Sequence, residues 1–117
     1  MRNLAIALLI AAIASVTVST SSLAARPDPT FNVSCTVGGD TVVSWKGVQL
    51  ASMHIEWFNS SGTQLAIGNI ASPHGSKYSA STPATMDVGG TVSVTLAFTR
   101  PISNGATGAE LQPVACT

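Results

Sequence analysis

The residues able to do acid–base chemistry in this 117-residue chain are two histidines and five carboxylates. His54 and Glu56 stand two apart, so on an extended strand they share a face, close enough for the carboxylate to raise the basicity of the imidazole. A general base or a metal ligand is the sharpest reading of that pair. No third ligand and no cysteine lies at a metal-like spacing from it, so the plainer reading is two solvated residues on the outer face of a strand. His74 sits between Pro73 and Gly75 and reads as a loop residue. Asp28, Asp40, Asp87 and Glu110 are scattered singly. The serines lack a Gly-x-Ser-x-Gly elbow, and the pairs Gly38-Gly39 and Gly89-Gly90 lack the lysine and following helix of a phosphate loop. The expectation is a protein without an active site, cofactor or metal. Phe58 follows Trp57 and must point away from the face that Trp57 occupies. With Trp57 in a core, Phe58 either joins His54 and Glu56 in a shallow recognition patch or lies covered by a loop or by the first segment.

The elements that position these residues follow from period-2 patterns. Phe31, Val33, Cys35 and Val37 alternate with Asn32, Ser34 and Thr36, and Gly38-Gly39-Asp40 makes a turn. Thr41 to Lys46 is a second strand with Val43 and Trp45 on the core side. Met53 to Asn59 is a third, with Met53, Ile55 and Trp57 opposed to His54, Glu56 and Phe58. Asn59-Ser60-Ser61-Gly62 turns into a fourth strand, on which Leu65 and Ile67 face one way. Between Asn69 and Thr85 the pattern weakens to a short strand over Lys77 to Ser81, flanked by loops. Thr91 to Thr99 alternates most clearly, through Val92, Val94, Leu96 and Phe98. Ala109 to Thr117 is the last strand, and its change of parity after Leu111 predicts a bulge or bend near Pro113. No segment carries an uninterrupted helical period. The fold class expected is all-β: seven short strands at roughly ten-residue spacing, forming two antiparallel sheets face to face.

Ahead of these strands, Met1-Arg2-Asn3 precedes an apolar run from Leu4 through Ala14, and small residues follow to Ala25. This is the layout of a secretory signal peptide over residues 1–24, cleaved after Ala24 or, as second choice, after Ala25. Ser15, Thr17 and Ser19 to Ser22 interrupt the run too early for a stable membrane span. The domain is then 25–117, and the location expected is extracellular or periplasmic. It carries four bases (Arg26, Lys46, Lys77, Arg100) against five acids, a net charge of −1. Scattered bases exclude nucleic acid and a polybasic membrane patch. Cys35 and Cys116 are the two cysteines, and in an oxidising compartment they are expected to pair. The closed loop of about 80 residues corresponds to roughly 4 kcal/mol in the chain-entropy picture.

Thr41-Val42-Val43-Ser44-Trp45-Lys46 resembles the second strand of a fibronectin type III or related immunoglobulin-like domain, with its inward tryptophan. His54-Ile55-Glu56-Trp57-Phe58 is similar to the third strand, and Met86-Asp87-Val88-Gly89-Gly90-Thr91-Val92-Ser93-Val94-Thr95-Leu96-Ala97 to the turn into the sixth. The likeness spans most of residues 25–117 as a pattern. It departs at Val92, where the family places a tyrosine, at Val88, where it places a proline, and at Cys35 and Cys116, which tie the first strand to the last. The resemblance implies a binding or spacing role more often than catalysis. The expectation is a secreted, non-catalytic interaction module taking a protein or a surface polysaccharide. The alternatives are an assembly subunit pairing through an edge strand, for which the nearly uncharged strands lack blocking lysines, and a protease inhibitor using Asn69 to Thr85 as its exposed loop. Asn32-Val33-Ser34 and Asn59-Ser60-Ser61 match the glycan-acceptor pattern, whose use depends on the host.

Overall fold

A computed structural model describes residues 28–117 and contains only strands, turns and loops over that range. The proposed signal segment, 1–24, lies outside the described residues. Eight strands follow in order: β1 Thr30–Cys35, β2 Asp40–Lys46, β3 Leu50–Phe58, β4 Gln64–Ala71, β5 Lys77–Ser81, β6 Thr91–Phe98, β7 Gly108–Glu110 and β8 Val114–Ala115. All pair antiparallel, in a three-stranded sheet β1-β2-β5 and a five-stranded sheet β4-β3-β6-β7 in which β8 also pairs β6.

The inward faces are the ones that alternation selects. Met53, Ile55 and Trp57 on β3 lie opposite Leu96, Val94 and Val92 on β6, and Val43 and Trp45 on β2 complete the interior from the other sheet; all are buried. Phe31 stacks on Phe98 across the two sheets, ring centroids 6.1 Å apart. Sealing these apolar side chains from water is the main driving force for the two sheets to associate.

Three expectations change. The strand count is eight rather than seven, because Leu111-Gln112-Pro113 splits the last strand where proline removes a ladder donor. β3 begins at Leu50 rather than Met53, and a register shift between Leu50 and Ser52 lets Leu50 and Met53, three apart, both face inward. Leu65 and Ile67 do not share a face. Trp57 pairs with Ala66 and Phe58 with Gln64, leaving Leu65 as the extra residue of a bulge. Leu65 packs on the core, and Ile67 is 50% exposed.

Cys35 and Cys116 form the disulfide, with Cα atoms 4.6 Å apart. Beside it Val37 N–H donates to Thr117 C=O (2.9 Å) and Thr117 N–H to Cys35 C=O (3.1 Å). The end of β1 in one sheet is thereby joined to the segment after β8 in the other. A covalent link of this kind is compatible with an oxidising environment. Next to the sulfurs lies a buried polar cluster: the Trp57 indole N–H donates to Thr41 Oγ1 (2.9 Å), and the Thr41 and Thr82 hydroxyls are hydrogen-bonded (2.9 Å). Each of these polar groups has a partner, as burial requires.

Candidate binding face

β3 lies inside the five-stranded sheet, between β4 and β6, so its outward residues sit mid-face rather than at an edge. His54, Glu56 and Phe58 all point outward from it and are half-buried. The register sets three rows across the sheet: Asn69, His54, Thr95 and Glu110; Ile67, Glu56 and Ser93; and Gln64, Phe58 and Thr91. The three residues singled out from the sequence therefore stand together, and Phe58 takes the outward position that a buried Trp57 imposes.

The polar end of the patch is a histidine held between two oxygen acceptors. His54 Nε2 is hydrogen-bonded to Glu56 Oε2 (2.7 Å) and Nδ1 to Asn69 Oδ1 (2.6 Å), and two oxygen acceptors favour the protonated ring, in which both nitrogens donate. The Asn69 amide oxygen, first, and the Glu56 carboxylate raise the imidazole pKa above its ordinary 6.5. Both ring nitrogens are engaged by neighbouring side chains. When the ring is protonated, the arrangement presents a fixed positive and negative pair, with side chains 38% and 33% exposed, on the same face as Phe58 and the exposed Ile67.

The apolar end is braced by the turn after β3. Asn59 Oδ1 accepts from the N–H groups of Ser61 (3.0 Å) and Thr63 (2.9 Å), and Gly62 takes the positive φ of 84° that closes the turn. The Ser60 N–H donates to Asp87 Oδ1 (2.9 Å) and its hydroxyl to Oδ2, which holds the Asp87 carboxyl below its usual range. This ties the β3–β4 turn to the loop ahead of β6 and limits how far the strand end carrying Phe58 can move.

The remaining candidates stay apart. His74 is exposed in the β4–β5 loop, and Asp28 and Asp40 are exposed away from the patch. No group of three or more His, Cys, Asp or Glu able to hold a metal ion occurs among the described residues. Glu110 reaches the patch row through Thr95. Sequence reasoning missed Asn69 and Ile67. Asn69 falls where the sequence pattern weakens toward a loop, although its exposed position between the less exposed Gly68 and Ile70 continues the alternation of β4. The stretch Asn69 to Thr85 is not one long inhibitory loop, since it contains the end of β4 and all of β5. A separate recess of about 280 Å³ opens at one end of the molecule, lined in part by Pro29, Val48, Gln49, Arg100 and Ile102. Comparison with known protein families, curated proteins and solved structures finds no match to this chain.

Proposed function

We propose that this chain is an exported, non-catalytic binding module of the immunoglobulin-like, fibronectin type III-like class, which takes a protein or a surface polysaccharide on the outer face of its five-stranded sheet. The carrying observation is the face on which Asn69 and Glu56 hold His54, with Phe58 and the exposed Ile67 flanking Glu56. A positioned charge pair beside partly exposed apolar groups suits recognition: the pair orients a polar ligand and the aromatic ring supplies contact area. The disulfide supports the exported setting, and no helix among the described residues is long and apolar enough to cross a membrane. An all-β chain with Trp45 inward on its second strand supports the domain class.

The test immobilises the disulfide-bonded protein and passes over it envelope polysaccharide and envelope protein fractions of the source cell, with Phe58→Ala and His54→Ala in parallel. The reading expects a saturable ligand in one fraction, bound at least tenfold more weakly by Phe58→Ala, the range typical of a central aromatic contact. Binding that survives both substitutions unchanged would place recognition elsewhere and sink the reading.

A further inference from the structure

β4 is an outer strand of the five-stranded sheet, bonded to β3 on one side and to no strand on the other among the described residues. The donation from Ser72 N–H to Ala51 C=O (2.8 Å) identifies Ser52 and Ala71 as a pair whose own N–H and C=O groups point away from each other. Antiparallel alternation then directs the backbone groups of Ala66, Gly68 and Ile70 to β3. Those of Ile67, Asn69 and Ala71 point to the open edge. The bulge at Leu65 begins this regular run, and Ser72, at φ 48°, ends it.

Sheet edges that remain single are usually blunted by charge, proline or brevity. β7 has three residues, one of them Glu110; β5 opens with Lys77; and β1 directly follows Pro29 and ends at a cysteine whose carbonyl is taken by Thr117. β4 carries none of these devices. Its eight residues include no charge and no proline, and Ile67 is one of only two large apolar side chains that stand exposed among the described residues.

We propose that this edge pairs with the same edge of a second copy, antiparallel about a two-fold axis at Asn69, which joins two five-stranded sheets into one. An antiparallel edge meeting its own two-fold image sets each outward N–H opposite a C=O, so the pattern is self-complementary. With Asn69 opposite Asn69 of the second copy, Ile67 falls opposite Ala71 and Ala71 opposite Ile67. Both exposed isoleucines are then covered by an alanine. Charge scarcely opposes the encounter: β4 has none, residues 25–117 carry a net charge of only −1, and the nearest ionisable groups, His54 and Glu56, are paired with each other. This dimer does not rest on the binding reading above, because it uses the strand edge and leaves His54, Glu56 and Phe58 on the open face.

Sedimentation velocity of the disulfide-bonded protein tests it. A pairing this short gives a dissociation constant on the order of 100 µM, so the weight-average mass should rise toward that of a dimer between about 10 and 500 µM. Asn69→Pro removes an N–H that points to the open edge among the described residues, and Ile67→Lys adds an edge charge; each should weaken association at least tenfold, while Val88→Lys, at the other exposed apolar residue, leaves it unchanged. Ile67→Lys remains decisive if the proline variant fails to fold. Single cysteines check the register. Asn69→Cys places two thiols on residues whose Cα atoms lie about 5.5 Å apart and should cross-link under mild oxidation. Ile67→Cys places them about 14 Å apart and should not. A protein that stays monomeric throughout, association undiminished in Asn69→Pro and Ile67→Lys, or cross-linking of Ile67→Cys but not Asn69→Cys overturns the proposal.

Discussion

At the scale of single residues, His54 and Thr41 make opposite uses of a hydrogen bond. His54 is half-exposed, and its two acceptors act by favouring the charged ring. Proton NMR of the imidazole should therefore give a midpoint above 6.5, and both Asn69→Ala and Glu56→Gln should lower it. The sign for stability follows from the raised folded value. The contribution is complete below the unfolded pKa near 6.5 and disappears as pH rises through the folded value, so unfolding midpoints should fall on that ascent, and less so in Glu56→Gln. Thr41, only 1% exposed, acts by satisfying a buried indole. Thr41→Val keeps the shape and strands the Trp57 N–H without an acceptor, a loss of about 1–3 kcal/mol that urea unfolding followed by tryptophan fluorescence would measure.

Among the elements, the loop that feeds β6 is tightly constrained by contact. Gly90 is buried, and a Cβ there would run into Met86 Sδ and sit 2.6 Å from the Phe58 carbonyl. Gly90→Ala should therefore displace the end of β3 as well as the start of β6, lowering stability by about 2 kcal/mol or more and weakening any ligand held at Phe58. The neighbouring Asp87 link has a pH signature opposite to that of His54. Its folded pKa is depressed, so its support is present above the unfolded value of 3.8 and is lost as pH falls through the folded one. Asp87→Asn should flatten that acid limb of the stability curve.

For the molecule as a whole, the disulfide joins the two sheets near both ends of the described chain, across a sequence separation of 81. Reduction, or replacement of both cysteines by alanine, should cost about 4 kcal/mol in the chain-entropy picture, against a total of about 5–15 kcal/mol for a domain of this size. A guanidinium midpoint that barely moves on reduction would show that core packing alone holds the sheets together. Far-UV circular dichroism should show strand without helix.

The parts of this protein that depend on alternation were already decided in the chain: the all-β class, the burial of Val43, Trp45, Ile55 and Trp57, and the common outward face of His54, Glu56 and Phe58. Side chains on a strand alternate whatever the strand packs against, so these survive ignorance of the partners. What alternation cannot supply is register. The bulge at Leu65 turned Ile67 outward, the shift after Leu50 brought that residue into the core, and Pro113 divided the final strand in two. Asn69 became part of the patch only because β4 places it opposite His54, a pairing across fifteen positions that no local pattern encodes. Which strands end as edges, and hence which backbone groups stay open, is set by the sheet order, and sheet order is a product of long-range packing.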